Sequence, residues 1–337
     1  MGLKLKEAAH GIRVTLDFWS NYRSYVKNGS VDKAFEHIEY LNYLLYQKNK
    51  IISYFDKHDV EIYKNELSCL RRALPYKMTC DVEDYEKKLG SIEKELESIT
   101  FDKYAGLYFL MRNGKRLYFK KSLNTRKQVE EYYSYLAYEQ TANSPHKYCD
   151  ENFSVQRGEV LADCGAAEGL FGLDNIESVD KLYLFEYEEE WIEALEYTFL
   201  PYKDKVEIIP KFLGKSTDNE KIITLDDYFT DKKITFIKMD LEGCEYDVLQ
   251  GAAKILQRDL PLKLAVTVYH NKKDESEILG YLSDIAPDFS CEKSKGYLLC
   301  GWETAEPPFF RSGVLRIQIH PKKENDNGRC IDRCFVL

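Results

Sequence analysis

The stretch Val160-Leu-Ala-Asp163-Cys-Gly165-Ala-Ala167-Glu168-Gly169 decides the fold. An apolar run of strand length delivers an acid and then a glycine-rich turn, after which the chain resumes at helical spacing. Glycines in such a turn let the backbone approach a ligand closely. The turn also lies at the carboxyl end of a strand, where open α/β sheets bind ligands. The passage departs from the dinucleotide pattern G-x-G-x-x-G, because counting from Gly165 puts Ala167 and Leu170 where glycines belong. An acid two residues before the first glycine suits a ligand with a positive centre. On its own, an Asp-x-Gly turn fits a purely structural role equally well.

Downstream, apolar runs of strand length recur at Lys181 to Glu186, Lys205 to Ile209, Thr235 to Asp240 and Leu262 to His270, separated by helix-length segments. That alternation predicts a parallel sheet with helices on both faces. Gly296 to Gly301 and Gly313 to His320 then read as two strands joined by a loop alone, which makes them antiparallel. The expected class is α/β, a Rossmann-like doubly wound sheet with a C-terminal antiparallel hairpin. This is the layout of methyltransferases, whereas a dehydrogenase would end in another helix-linked parallel strand.

Upstream, residues 1–100 read as an α-helical accessory region. Behind a Ser30 cap, Val31, Phe35, Ile38, Leu41, Leu45, Ile52 and Phe55 recur as one apolar stripe. A second helix stops before Pro75, and a third, rich in Glu and Lys, covers Val82 to Ile99. Residues 101–150 read as a β-hairpin about Asn113-Gly114 and a connecting helix capped by Thr125, which ends before Ser144-Pro145-His146. Residues 151–337 form the Rossmann-like domain.

Composition narrows the partners. With 337 residues, 44% hydrophobic and 31% charged, the chain is large enough for a substantial core. A net charge of −9 disfavours nucleic acid, which needs clustered Lys and Arg; Lys120-Lys121 and Lys322-Lys323 read as solvated loop charges. No apolar run reaches the roughly 18 residues of a membrane span, and the N-terminus carries no export signal, so a cytoplasmic location is expected. Nine cysteines without a C-x-x-C pair favour free thiols, Cys330 and Cys334 included.

Three further positions carry chemistry. Glu186 closes the next strand 23 residues after Asp163, near the roughly 20-residue offset at which an acid binds a ribose diol. Phe236-Ile-Lys-Met-Asp240-Leu-Glu242-Gly243-Cys-Glu245 ends another buried strand on acids, which repel one another unless they serve a site or a cation. Glu245 and Asp247 fit a helix start, where acids suit the dipole. His270 ends the following strand and titrates in the range of a general base for a hydroxyl.

Together these segments resemble the FkbM-type methyltransferase family. The resemblance runs through Asp163 to Gly169, Phe185-Glu186, Ile223-Thr-Leu-Asp226, Ile237-Lys-Met-Asp-Leu-Glu-Gly-Cys-Glu245, Val248-Leu-Gln-Gly-Ala252 and Tyr269-His270. It covers about half the chain. It implies S-adenosylmethionine-dependent O-methylation, often of a sugar in a surface glycan or of a secondary metabolite. Carried onto this chain, Asp163, Gly165, Ala167, Glu168, Gly169 and Glu186 hold the cofactor, while Asp240, Glu242 and His270 stand at the transfer site. His270 or Asp240 then accepts the hydroxyl proton, or Asp240 with Glu242 holds a divalent cation, although no metal ligand set is indicated. Tyr187 replaces the proline that commonly follows the ribose-binding acid. The helical region is expected to select the acceptor or to form a homodimer. Rival readings are an NAD(P)-dependent oxidoreductase, disfavoured by the broken glycine pattern, a glycosyltransferase, for which an Asp-x-Asp motif is lacking, and a non-catalytic partner-binding protein of the same fold.

Overall fold

The computed structural model describes residues 31–58, 61–72, 90–218, 220–299, 306–307 and 309–321. Expectations about Ser30, Pro75, Lys322-Lys323, Cys330 and Cys334, and about residues 82–89 of the Val82 to Ile99 helix, lie outside the described residues. In chain order, α1 (Val31–Phe55) and α2 (Lys64–Arg72) lead to a short α3 (Glu93–Glu97). A three-stranded sheet follows, β1 (Thr100–Asp102), β2 (Leu107–Arg112) and β3 (Lys115–Tyr118), and then α4 (Arg126–Glu139). The next elements alternate: β4 (Glu159–Cys164), α5 (Leu170–Asn175), β5 (Val179–Phe185), α6 (Glu189–Phe199) and β6 (Val206–Ile209). A small parallel pair, β7 (Phe212–Leu213) and β8 (Ile222–Ile223), precedes α7 (Leu225–Tyr228) and β9 (Phe236–Met239). The remainder comprises α8 (Glu245–Gln250), α9 (Ala253–Leu256), β10 (Leu262–Thr267), α10 (Asp274–Ile285), β11 (Phe289–Lys293), β12 (Leu298–Leu299), β13 (Phe310–Arg311) and β14 (Val314–Ile319).

Seven strands build the central sheet in the order β11-β14-β10-β9-β4-β5-β6. Strands β10, β9, β4, β5 and β6 pair in parallel, and β14 runs antiparallel to both of its neighbours. Side chains alternate between the faces, as the pleat requires. Leu161, Leu182, Leu184, Phe236 and Ala265 enter one core with residues of the β2–β3 hairpin, α4, α5 and α6. Ala162, Tyr183, Ile237, Met239 and Leu264 enter the other with α8, α9 and α10. This is the α/β Rossmann-like arrangement of methyltransferases, with the antiparallel strand last among the described elements.

The structure moves one strand. The antiparallel partners of β14 are β10 and β11, and β12 pairs with β13 in a separate two-stranded sheet. Phe-Ser-Cys-Glu-Lys of β11 lacks an apolar run because it is an edge strand, with its residues exposed or half-buried. The apolar stripe of α1 holds at Phe55, which is buried with Ile51 against the α2 residues Leu67 and Leu70, and at Ile52, which packs on the same cluster; Leu44 is buried in place of Leu45, which is 44% exposed. These helices dock on Leu299, Phe309 and Phe310. Thr125 caps α4 as expected, in a capping box closed by Gln128.

One fastening positions the site. The segment 144–150 returns from α4 and is pinned along β14. Buried Arg316 donates from Nε to the Tyr148 carbonyl at 3.1 Å, from Nη2 to the Lys147 carbonyl at 2.9 Å, and from Nη1 to Asp150. Ser294 Oγ donates to the Pro145 carbonyl. The same carbonyl oxygen would overlap a Cβ at position 313, so Gly313 is required for the close approach. Replacing Arg316 with Leu removes the cation paired with Asp150 and the donor of two carbonyls. It is expected to cost about 3 kcal/mol, the lower end for breaking a mostly buried ion pair, read by urea unfolding; a loss under about 0.5 kcal/mol would show that the segment is held by other contacts.

Candidate active site

The floor of the site is an ion pair between adjacent strand ends. Asp163 on β4 and Lys238 on β9 are register partners, and Lys238 Nζ lies 3.0 Å from Asp163 Oδ1. Both side chains are buried. Burial opposes the ammonium, but Asp163 and Asp240 outweigh it and raise its pKa, so Lys238 keeps its proton. Lys238 Nζ also donates to the Gly165 carbonyl at 2.7 Å, which ties the glycine turn to the sheet.

The turn is closely fitted. Gly165 has φ +76°, and a Cβ there would overlap the Asp240 carbonyl oxygen. Ala167 also takes a positive φ, and its amide donates to Glu186 Oε2 at 2.9 Å. Glu186 Oε1 accepts the Tyr187 and Glu188 amides at 2.8 and 2.9 Å. These bonds occupy three of the carboxylate's roughly four lone-pair sites. Glu168, buried, accepts from the Tyr132 hydroxyl at 2.8 Å, and its burial raises its pKa.

Asp240, just past β9, is the hub. Its Oδ2 accepts the Tyr148 hydroxyl at 2.5 Å and lies 3.4 Å from His146 Nε2, while its Oδ1 lies 3.7 Å from His270 Nε2. Burial acts to raise the Asp240 pKa, but His146, Lys238 and Tyr148 outweigh it, and the carboxyl sits below its ordinary range. The two histidines differ. Burial lowers the pKa of His146 and outweighs the attraction of Asp240. His270 is also opposed by burial, yet Glu245, Asp240 and Glu242 raise its pKa. His270 Nδ1 lies 2.9 Å from Glu245 Oε1, and Nε2 lies 3.5 Å from Glu242 Oε2.

A cavity of about 410 Å³, within the usual range for small-molecule sites, is lined by Asp163, Gly165, Ala167, Glu168, Asp240 and Glu242 among the residues singled out from the sequence. Gly169, Glu186 and His270 lie outside that lining. Gly169 serves packing, since a Cβ there would overlap Leu195. Glu186 holds the turn through the Ala167 amide. Glu242 adopts φ +53° with its side chain 93% exposed at the rim. Glu245 has a further role beyond the helix start. It begins α8, but it is fully buried and accepts the Leu241 amide and the Thr267 hydroxyl, each at 2.9 Å.

The lining also holds Lys238, His146, Tyr148, Tyr132 and Tyr269, to which sequence reasoning gave no role. Lys238 had a signal, as the sole charge inside an apolar strand. The others come from α4, from the segment after it and from the end of β10, and only the tertiary fold brings them together. Ligand atoms of Asp240, Glu245 and His270 lie within 4.8 Å of one another. There the His270 imidazole faces the carboxylates of Glu245 and Asp240.

A glycine turn at the end of β4, the sheet order and an antiparallel final strand define a Rossmann-like methyltransferase fold. The Methyltransferase FkbM domain matches residues 118–299, more than half of the chain, and the chain belongs to that family. Membership points to methyl transfer from S-adenosylmethionine. Among solved structures, the chain is similar to a methyltransferase FkbM from Methylobacillus flagellatus KT at 18% identity and a TM-score of 0.39. That match covers 76% of this chain and 66% of the other, so this chain spans just under two thirds of that protein. It is also similar to SMU.1697c from Streptococcus mutans, solved in complex with SAH, at 16% identity and a TM-score of 0.32 over 49% of this chain and 90% of that one. A third is Trm5b from Pyrococcus abyssi, at 15% identity and a TM-score of 0.35 over 64% and 55%. No curated protein matches the chain. Among the described residues, no helix is long and apolar enough to cross a membrane.

The raised pKa of His270 has a stability consequence. Its cationic form is favoured by folding, so its contribution is full below the ordinary value of 6.5 and is lost as pH rises through the raised folded value. In urea unfolding, the margin of wild type over His270→Gln is therefore expected to shrink as pH rises above neutral. A margin that is flat or growing from about pH 6 to 9 would contradict the assignment.

Proposed function

We propose that this chain transfers the methyl group of S-adenosylmethionine to a hydroxyl, of a sugar in a surface glycan or of a related small metabolite. The observation that carries the reading is the cavity bounded by the glycine turn, with Asp163 at one buried strand end and Asp240 beside the next. The residues fit the cofactor. Gly165 is held so close to the Asp240 backbone that the turn admits no side chain. Beyond its pairing with Lys238, neither carboxylate oxygen of Asp163 accepts a hydrogen bond from the described residues, which leaves capacity for an ammonium donor.

When bound, the cofactor supplies an electrophilic methyl group whose sulfur leaves as a neutral thioether. The chain's own residues do the rest. Asp163 and Glu168 offer buried negative charge to the positive methionine end. Glu186 orders the turn through Ala167 and keeps one lone pair for a ribose hydroxyl. Asp240 and Glu242 face the acceptor, and Lys238 keeps the acids from repelling one another. Alignment of the hydroxyl with the methyl group supplies most of the rate. The hydroxyl loses its proton as its oxygen bonds to carbon, which calls for a positioned base. The helices α1 and α2, docked beside the site's C-terminal strands, serve acceptor choice or a homodimer contact.

Calorimetric titration with S-adenosylmethionine and, separately, NADH tests this reading. Saturable binding of the former alone is expected, with affinity at least tenfold lower in Asp163→Asn, which keeps the shape but removes the charge. Binding of NADH alone would favour an oxidoreductase, and binding of neither would favour a partner-binding protein.

A further inference from the structure

Resting on the proposed methyl transfer to a hydroxyl, we propose that the acceptor's proton ends on His146, delivered through the hydroxyl of Tyr269, and that His270 is a positioning residue. Both His146 and Tyr269 line the cavity, whereas His270 does not. Tyr269 Oη lies 2.8 Å from His146 Nε2, so the pair is already in hydrogen-bond contact. With the phenol donating to Nε2, the neutral ring carries its hydrogen on Nδ1, which lies 3.8 Å from Glu139 Oε2. As the acceptor oxygen bonds to the methyl carbon and the carbon–sulfur bond breaks, the acceptor proton passes to the Tyr269 oxygen. The Tyr269 proton passes to His146 Nε2. The products are the methyl ether, the neutral thioether and an imidazolium, so atoms and charge balance.

The surroundings suit this role. Asp240 Oδ2, held by the Tyr148 hydroxyl, lies 3.4 Å from Nε2 and places a negative charge beside the imidazolium that forms. The groups that act on His146 are Asp240 and, on the other side, the cations Lys238 and His270, with burial dominating. Before reaction the ring is therefore neutral. His270 is poorly placed for the same work, because Glu245, Asp240 and Glu242 surround both nitrogens and keep it charged. An imidazolium has no lone pair with which to take a proton. Its contribution is to answer the buried charge of Glu245 and, after Lys238 and Tyr148, to favour the ionised Asp240. His146 carried no sequence signal beyond its place after a proline turn.

Histidine-selective 15N spectra of the full chain, assigned with His146→Gln and His270→Gln, are to be combined with turnover. Turnover is read as S-adenosylhomocysteine release on a panel of methyl glycosides. Expected spectra at pH 7 show His146 neutral and His270 cationic; a cationic His146 overturns the proposal whatever the acceptor. Among active glycosides, His146→Gln is expected to lower kcat at least 100-fold, within the range for a general base. Its S-adenosylmethionine affinity should stay within about threefold. Tyr269→Phe is expected to lower kcat similarly, and His146→Gln to erase the acid limb of the kcat profile. His270→Gln should keep that limb. A kcat within threefold of wild type in His146→Gln, or an unchanged acid limb, overturns the assignment. Failure of the wild type to bind S-adenosylmethionine would instead remove the methyl-transfer reading, which calorimetry detects separately.

Discussion

Everything at the carboxyl edge of the sheet depends on one buried ion pair, Lys238 with Asp163. Two charges taken from water cost several kcal/mol each, and mutual attraction repays this only with good geometry and further hydrogen bonds. Parallel pairing of β4 and β9 provides the geometry, since it sets the two residues side by side. The bond from Lys238 to the Gly165 carbonyl adds the hydrogen bond and fixes the turn at once. A hydrophobic pair at these positions would pack at less cost. It would leave Asp240 and Glu168 without the cation that acts on both.

Charge balance organises the rest of the site in two layers. Nearer the floor, Lys238 answers Asp163 and Asp240. Farther out, His270 answers Glu245 and Glu242, and it faces Asp240 as well. Between them lies His146, where burial outweighs the attraction of Asp240 and lowers the pKa of the ring. The chain places this histidine by fastening the 144–150 segment to β14 through Arg316 and the bare backbone of Gly313. A strand that contributes no candidate binding residue of its own thus decides where a catalytic ring stands.

Much of the fold was legible because buried parallel strands are short apolar runs that end on chemistry. Val160 to Asp163, Thr235 to Asp240 and Leu262 to His270 each announce themselves that way. The hairpin at Asn113-Gly114 and the cap at Thr125 were equally plain, because local turn and cap chemistry decide them. The edge strand β11 escaped because exposure removes the apolar signal. On α1 the stripe held at Ile52 and Phe55 but missed at Leu45, because helical spacing alone does not say which of two adjacent residues turns inward. In the site, Asp163, Gly165, Ala167, Glu168, Asp240 and Glu242 were readable from the turn and strand ends and do line the cavity. Glu245 begins a helix as its position indicated, but its burial was not legible, because a first-turn acid looks the same in sequence whether wet or dry. His146, Tyr148 and Tyr132 lie 15 to 31 residues before Asp163, where no spacing rule links them to the sheet.

The most direct test of the account is a crystal structure of the full chain grown with S-adenosylhomocysteine. The account predicts the ligand along the Gly165 to Gly169 turn, with its ammonium toward Asp163, its ribose toward Glu186, and its sulfur facing the space between Asp240 and Tyr269. A ligand bound away from that turn, or one whose sulfur points from Asp240, would contradict it.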